Sequence, residues 1–285
     1  MSPLTELFLA RLALEPAVLV QVQATEGSAP RDAGAWMAVF ADALVGTIGG
    51  GHLEFEAIDR ARALLNADGA AKSSEQMRLA LGPSLGQCCG GVVHLRLERL
   101  SAADSSALRL RLEVERLPVV LFGGGHVGHA LAEVLARLPV ALHWIDSRDG
   151  IFPAGLPAHV VCEHSEPVQA AVKDLAPGSC VLIMSFSHAE DLDVLTQCLA
   201  RQRTQQDLPY IGLIGSKTKW ATFRHRLEAR GYSAEELAHV TCPIGVPGIE
   251  GKEPEVIALA VAAQLLQVIS SLRGDAAAVQ RPNSR

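Results

Sequence analysis

The chain has 285 residues, of which 49% are apolar, and its formal net charge is -6 at pH 7. This length exceeds the roughly 100–200 residues of one domain, so it favours a globular protein with two hydrophobic cores. Lysines and arginines are scattered and fewer than the acids, which excludes the basic surface expected of a nucleic-acid-binding protein.

The N-terminal sequence and the cysteine content bear on the compartment. The first residues, MSPLTELFLARLALEP, lack a basic leader followed by a long apolar block, and no stretch reaches about 18 uninterrupted apolar residues. We therefore expect a cytoplasmic protein with no membrane partner. Without a secretory signal, the 6 cysteines are expected to be reduced thiols rather than a disulfide scaffold.

The first hundred residues predict a small α+β domain. Residues 17–24 and 35–40 have the alternation and β-branched content of strands, and the turn-rich string EGSAPRDAG separates them. Residues 53–65 place apolar side chains at helical spacing, and the later string VVHLRLERL alternates as a half-buried strand does. We place this domain at residues 1–100 and a linker at 101–117, where the strong apolar period is lost.

From Pro118 onward the pattern alternates between strands and helices. Strands are predicted at VVLFG, ALHWID, near Val160, CVLIMSF and YIGLIG. This alternation predicts an α/β fold, a Rossmann-like doubly wound parallel sheet, over residues 118–273. A helix from Pro254 to about Leu272 closes the domain, and we expect the tail 274–285 to be disordered.

Gly123, Gly125 and Gly128 form a G-x-G-x-x-G motif directly after the strand VVLF and before a helical pattern. This context predicts a nucleotide-like ligand, because the glycines let the backbone approach a phosphate at a helix N-terminus. Asp146 lies 18 residues beyond Gly128, at the end of the next strand, where an acid can accept hydrogen bonds from a ribose. The alternative is a tight turn that binds nothing, and hydride transfer does not follow from the motif.

A second glycine cluster precedes the helix predicted in the first domain. Gly49, Gly50 and Gly51 stand directly before His52, so flexible backbone again lies at a helix start and can form an anion cradle. The alternative is that these glycines only permit close packing or positive φ angles.

Cys88 and Cys89 lie in the loop GQCCGG, with glycines on both sides. Adjacent cysteines bridge each other only with strain, so the pair offers two soft sulfurs for a thiophilic metal or for sulfur exchange. A zinc site fits poorly, because the sequence has no partner set of ligands at zinc-binding spacing. We expect buried packing for the other cysteines, Cys162, Cys180, Cys198 and Cys242.

Two histidines and two lysines follow predicted strands of the second domain. His126 lies inside the glycine motif and His188 follows CVLIMSF, near the sheet edge where doubly wound folds bind ligands. Lys217 and Lys219 open a helix after YIGLIG, where a phosphate can bind. Each histidine can equally bond only a loop carbonyl, and each lysine can simply be exposed to solvent.

Six strings taken together resemble the xanthine dehydrogenase accessory protein (XdhC/CoxI) family. They occur in the family's order and span almost the whole chain. The strings are GSAPRDAGAWMAV (27–39), GTIGGGHLEFEAI (46–58), GQCCGG (86–91), VVLFGGGHVGHAL (119–131), YIGLIGSKTKW (210–220) and CPIGVPGIEGKEPEVIALAVAAQ (242–264).

The resemblance implies a non-catalytic carrier protein. Such a protein binds molybdenum cofactor (molybdopterin), protects it while its terminal sulfido ligand is installed, and delivers it to apo-xanthine dehydrogenase. A cysteine desulfurase is the implied source of sulfur, and the resemblance marks Cys88 and Cys89 as contacts to molybdenum or to transferred sulfur. The string GVPGIEGKEP is more similar to the xanthine dehydrogenase branch than to the carbon monoxide dehydrogenase branch.

Two other functions remain open from the sequence. The glycine motif with Asp146 also suits an NAD(P)-dependent oxidoreductase, although no acid–base pair is evident near a substrate pocket. A purely structural adaptor that docks the dehydrogenase without cofactor is the second alternative. The apolar helix EVIALAVAAQLLQVI further suggests a homodimer, because its apolar surface exceeds what one core covers.

Overall fold

The computed structural model describes residues 3–67, 74–81, 90–113 and 116–279, with side chains from residue 4 to residue 273. The chain divides into two compact units, residues 1–114 and residues 115–285. The predicted fold class is confirmed: a parallel Rossmann-like sheet follows a smaller unit built on an antiparallel sheet.

The first unit contains a five-stranded antiparallel sheet with strand order β3-β2-β1-β5-β4. Central strand β1 pairs with β2 on one side and with β5 on the other. The elements in chain order are α1 (Pro3–Leu12), β1 (Ala17–Glu26), β2 (Trp36–Val39), β3 (Leu44–Gly46), α2 (Gly51–Asn66), β4 (Ser74–Ala80), β5 (Val92–Leu100) and α3 (Ser105–Arg111).

Both faces of this sheet are covered, because alternate residues of β1 are buried in different clusters. Val18 and Val20 pack in the cluster that contains Leu53 and Ala57 of α2. Leu19, between them on the strand, packs in the cluster that contains helices α1 and α3. The period of two along a strand explains this division, since successive side chains point to opposite faces.

The predicted linker 101–117 contains ordered structure. Residues 102–104 form a 3-10 turn that leads into α3, and Leu108 and Leu112 are buried beside Phe8. The first unit therefore extends beyond residue 100, and the division at 114/115 falls inside the predicted linker. Two leucines at a spacing of four provide enough apolar surface to dock this short helix, although arginines stand between them.

The second unit contains a six-stranded parallel sheet with strand order β11-β10-β9-β6-β7-β8. Counted from its first strand, this order is 3-2-1-4-5-6, the doubly wound arrangement of dinucleotide-binding domains. The elements are β6 (Leu117–Phe122), α4 (His126–Leu135), β7 (Val140–Asp146), β8 (Val160–His164), β9 (Cys180–Ile183), α5 (His188–Gln205), β10 (Tyr210–Leu213), α6 (Lys217–Glu228), α7 (Ala234–Leu237), β11 (Val240–Thr241) and α8 (Pro254–Val279).

Helices cover both faces of the parallel sheet. One face packs against α4 and α8, and the other packs against α5, α6 and α7. A 3-10 segment, Val168–Asp174, stands between β8 and β9 where the sequence predicts a helix. Burial on both faces explains why strands such as VVLF and CVLI are continuous apolar runs.

Helix α8 passes the place where the sequence predicts its end. It continues through Gly274 to Val279, and residues 280–285 of the predicted disordered tail lie outside the described residues. A single glycine costs a helix only about 1 kcal/mol, and the alanines that follow are strong helix formers. Residues Pro254–Arg273 are long and apolar enough to cross a membrane, but Val261 and Leu265 are buried against the Rossmann-like sheet.

Candidate functional site at the switch point of the parallel sheet

Residues 123–128 connect β6 to α4 and carry the G-x-G-x-x-G motif. We call them the second glycine loop, because another glycine cluster, at residues 46–52, precedes them in the chain. Strand β6 pairs with β7 on one side and with β9 on the other. The chain order reverses between β6 and β9, so the loop lies at the topological switch point of the sheet. Doubly wound folds bind their ligands in the crevice at this point, outside the carboxyl ends of the strands.

The three motif glycines differ in what the fold demands of them. A Cβ on Gly123, which has φ +119°, would lie 1.9 Å from the carbonyl oxygen of Met184. A Cβ on Gly128 would lie 2.1 Å from the carbonyl oxygen of Gly123. A Cβ on Gly125 would meet no atom of the described chain within 4 Å. The fold therefore requires the first and third glycines, whereas the second leaves open space for a ligand.

Helix α4 begins differently from the three helices that follow it. Helices α5, α6 and α7 each start at a serine whose side chain accepts a hydrogen bond from a first-turn N–H group. Helix α4 starts at Gly125, and no side chain of the described residues caps it. Among the described residues, no side chain thus satisfies its first-turn N–H groups, as expected where an anion binds.

Asp146 lies beside the second glycine loop but is already fully bonded. Its Oδ2 accepts hydrogen bonds from the Gly124 N–H and from Arg148 Nη2, and its Oδ1 accepts from the Arg148 N–H and from Nε. Burial alone would raise the pKa of Asp146, but the hydrogen bonds from Arg148 and Gly124 outweigh burial and hold the pKa below its usual value. Asp146 thus acts in this structure as an anchor for Arg148.

Side chains from the loop after β7 contact the loop after β9 and the first turn of α5, although β6 separates β7 from β9 in the sheet. Ser147 donates a hydrogen bond of 2.9 Å to Glu190. The guanidinium of Arg148 lies 4.7 Å from the ring centre of Phe186. We call these two contacts the loop bridge. It spans the crevice at the side where a dinucleotide-binding fold holds its adenosine.

The structure places the two predicted histidines near this edge. His126 is the exposed first residue of α4 and lines a pocket of about 310 Å³ together with His129 and Glu133. His188 is the first residue of α5, and its ring contacts Phe223 edge-on at 6.3 Å. Within the described parts of the chain, histidine, cysteine and acidic side chains form no cluster of three or more that is able to hold a metal ion.

The two lysines after β10 differ in their surroundings. Lys217 is exposed at the start of α6. The side chain of Lys219 is only 9% exposed, and it donates to Asp191 at 2.6 Å and to the Ile214 carbonyl at 2.8 Å. Asp191 also accepts a hydrogen bond from the Ser185 N–H. This ion pair fixes the loops after β9 and β10 to each other.

The four cysteines expected to pack divide into two groups. Cys180 and Cys198 are fully buried, and burial raises the pKa of each thiol to about 12. Cys162 and Cys242 are partly buried. Burial raises the pKa of Cys242 to about 11, so its thiol stays protonated at neutral pH.

In the first unit, residues 46–52 form the first glycine loop, which carries the other predicted anion cradle. The carboxylate of Glu54 accepts hydrogen bonds from the N–H groups of Ile48 and Gly50 and from the Thr47 hydroxyl. Gly49, Gly50 and Gly51 all have positive φ angles, and a Cβ on Gly49 would lie 2.6 Å from Pro30. The loop therefore binds an acid of its own chain, and its glycines serve close packing and unusual backbone angles.

Three of the sequence strings meet at one edge of the first unit. A Cβ on Gly91 would lie 2.4 Å from the carbonyl oxygens of Glu26 and Ser28, and Gly49 approaches Pro30 with similar closeness. The strings that contain GSAPR, GTIGGGH and the end of GQCCGG are thus in contact. Cys88 and Cys89 themselves lie outside the described residues, in the segment that connects β4 to β5.

Sequence reasoning missed several residues at the switch point. Arg148 stands only two positions after Asp146 in the string IDSRDG, so the sequence alone could have indicated an ion pair between the two side chains. Phe186, Glu190 and Asp191 carry no comparable signal, because their contacts join residues that are distant in sequence.

The order of the parallel strands and the second glycine loop define a domain of the Rossmann class. Comparison with known proteins then identifies the chain: it belongs to the XdhC family, because residues 119–265 match the XdhC Rossmann domain and residues 10–76 match the XdhC and CoxI family. The predicted family is thereby confirmed.

Two individual relatives illustrate the match. The chain is 29% identical over 263 residues to the uncharacterized protein YqeB of Escherichia coli (strain K12). That alignment covers 91% of this chain but only 44% of YqeB, so the chain spans less than half of that relative's length. A crystal structure from Bacillus halodurans, described as a xanthine dehydrogenase, has a TM-score of 0.75 at 20% identity, with 100% of this chain and 98% of that chain covered. At this identity the second likeness supports the fold.

Proposed function

We propose that this protein is an accessory protein of xanthine dehydrogenase that binds molybdenum cofactor and delivers it to the apoenzyme. The observation that carries the ligand-binding part is the second glycine loop, where, within the described part of the chain, Gly125 borders open space and α4 has no side-chain cap. A site of this kind suits the phosphate of molybdopterin, because backbone N–H groups and a helix N-terminus stabilise anions. Membership of the XdhC family supports the accessory role.

The residues near the second glycine loop fit a phosphorylated pterin. The Gly125 and His126 backbone would face the phosphate, and the partly exposed guanidinium of Arg148 supplies positive charge nearby. We assign contact with molybdenum, or with the sulfur that becomes its sulfido ligand, to Cys88 and Cys89, since thiolates are soft ligands. When bound, the cofactor supplies the molybdenum centre that the client enzyme needs.

Binding of molybdopterin to the full chain tests this proposal directly. The protein is mixed without oxygen with cofactor released from a denatured molybdoenzyme, passed through gel filtration, and analysed for pterin fluorescence after oxidation. We expect pterin and molybdenum to co-elute with the protein, and the eluted complex to activate apo-xanthine dehydrogenase. Protein that elutes without pterin contradicts the carrier function and favours a structural adaptor.

The cysteine pair is tested in the same assay. We expect the double variant Cys88→Ser, Cys89→Ser to lose at least about tenfold in molybdenum retained and in activation of the apoenzyme, since serine is a poor ligand for a thiophilic metal. Cys162→Ser, which changes a partly buried thiol on β8, is the matched control. Full activation by the double variant removes these two residues from the proposed site.

Two partners belong to the same proposal. A cysteine desulfurase would provide the sulfur, and a second copy of the chain would cover the exposed Leu259 and Leu266 on the outer face of α8. A pull-down with purified desulfurase tests the first contact, and sedimentation of the wild type against Leu259→Lys tests the second.

The second candidate function is an NAD(P)-dependent oxidoreductase, which the strand order and the glycine motif favour. Turnover of NADH or NADPH with a carbonyl substrate would support it.

A further inference from the structure

The acid that a dinucleotide-binding fold uses to bind a ribose is not available for this purpose here. Asp146 is 1% exposed, and its oxygens accept four hydrogen bonds from Gly124 and Arg148. A carboxylate offers about four acceptor positions, so no position remains for the hydroxyl groups of a ribose. A ligand that reaches this end of the crevice meets Arg148 before it meets Asp146.

Arg148 is bound on one side and open on the other. Its Nε and Nη2 bond Asp146, whereas Nη1 has no acceptor among the described residues, and the side chain is 32% exposed. Arginine carries five N–H donors in a planar fork, so the outward edge can still bind an anion. The aspartate holds the fork in place, which lowers the entropy lost when a ligand binds.

Phe186 places an aromatic surface next to this cation. Its ring lies under the Arg148 guanidinium and is 65% exposed, which is unusual for a phenylalanine in a well-packed α/β unit. An exposed aromatic ring stacks favourably on flat heterocycles of many kinds. Cation and ring therefore offer two different contacts within one small area of the crevice.

We propose that Arg148 and Phe186 form a recognition site for a flat nitrogen heterocycle that carries a phosphomonoester, with Phe186 stacking on the ring and Arg148 binding the phosphate. This inference rests on the proposed ligand site at the second glycine loop and names the chemistry that the site selects. Two sources share that chemistry: a phosphorylated pterin, and a dinucleotide with a phosphate on its adenosine ribose. In either case the phosphate, and not a ribose diol, determines binding.

Two pairs of probes, each differing only in the phosphate, test the site on the full chain. The first pair is the fluorescent oxidation product of molybdopterin, with its phosphate and after phosphatase treatment. The second pair is NADPH and NADH. Affinities are measured by fluorescence titration or calorimetry. We expect the phosphorylated member of at least one pair to bind at least about tenfold more tightly, as for a charge-assisted hydrogen bond, and the pair that shows this preference identifies the source.

Variants separate recognition from folding. Arg148→Ala is expected to reduce the preference for the phosphorylated probe to about one, Arg148→Lys to retain part of it, and Phe186→Leu to weaken both members of a pair equally. Arg226→Ala removes one exposed arginine near the far end of α6 and is the matched control for charge. Because Arg148→Ala leaves Asp146 unpaired, unfolding curves verify that each variant is folded, and Arg148→Lys provides a second test.

Each remaining outcome has a definite meaning. If a probe binds but its phosphate makes no difference, or if folded Arg148 variants keep the full preference, the recognition site is wrong while the proposed carrier function stands. If molybdopterin itself co-elutes but none of the four probes binds, the recognition site is again wrong and the proposed carrier function stands. If neither molybdopterin nor any probe binds, both proposals fail.

Discussion

The two glycine loops have similar sequences and different occupants. In the first glycine loop, Glu54 accepts hydrogen bonds from the Ile48 and Gly50 N–H groups, so a carboxylate from the next helix occupies the cradle. In the second, Gly124 is the loop residue whose N–H bonds Asp146, and the helix start at Gly125 is left without a side-chain cap in the described chain. A glycine-rich helix start therefore indicates a ligand site only where the protein's own acids leave its N–H groups open.

The largest expected effect separates the glycines of the second glycine loop. Gly123→Ala should lower the free energy of unfolding by about 3 kcal/mol or more, because the new Cβ meets the Met184 carbonyl at 1.9 Å and the φ angle is +119°. Gly125→Ala should leave stability within about 1 kcal/mol and still weaken pterin binding at least about tenfold. Urea unfolding and the gel-filtration assay measure the two effects. Equal stability losses in both variants would contradict the different roles assigned to the two glycines.

A medium effect on stability is expected when the Glu54 carboxylate is removed from the first glycine loop. Glu54→Ala leaves the Ile48 and Gly50 N–H groups and the Thr47 hydroxyl without their acceptor, which should cost about 2 kcal/mol of unfolding free energy. Added formate should partly restore the melting temperature of the variant and leave the wild type unchanged, because a small carboxylate can enter the vacated cradle. Asp59→Ala, which removes an exposed acid farther along α2, is the control. No response to formate would show that these N–H groups do not form an anion cradle.

The smallest effect is a pH dependence at Asp146. Its pKa is lower in the folded chain than in the unfolded chain, so its contribution to stability is fully present above the unfolded value of about 4. This contribution is lost as the pH falls through the lower, folded value. The difference in unfolding free energy between the wild type and Asp146→Asn should thus be constant near pH 6, at about 1–2 kcal/mol, and should shrink below pH 4. A difference that grows on acidification would mean that the pKa is raised.

Much of the fold can be predicted from the sequence, because the strong patterns are local. The apolar strands and the glycine motif before α4 predict the parallel sheet, and the strand order confirms it. The weak elements are less visible. Strand β4 alternates only between exposed and half-buried residues, and α1 and α3 are short helices whose burial depends on partners distant in sequence. Patterns within a short window cannot reveal such partners.

The candidate site is only partly predictable for a related reason. Spacing placed Gly123, Gly125, Gly128 and Asp146 at one sheet edge, and the structure brings them together there. Spacing could not show that Gly124 and Arg148 together use every acceptor of Asp146, or that the Lys219 side chain is largely buried while Lys217 is exposed. These distinctions depend on how side chains from separate loops compete for the same partners, which no pattern along one element encodes.

The Asp191–Lys219 ion pair makes the two walls of the crevice unequal in strength. Separating a buried pair of this kind leaves a charge uncompensated and costs about 3–5 kcal/mol, whereas the single hydrogen bond from Ser147 to Glu190 contributes about 1–3 kcal/mol. The Ser147–Glu190 hydrogen bond therefore breaks more readily than the Asp191–Lys219 ion pair, while the contacts of Arg148 with Asp146 and Phe186 hold the rest of the loop after β7. A molecule that enters or leaves this crevice can therefore displace the Ser147–Glu190 contact more easily than the Asp191–Lys219 ion pair.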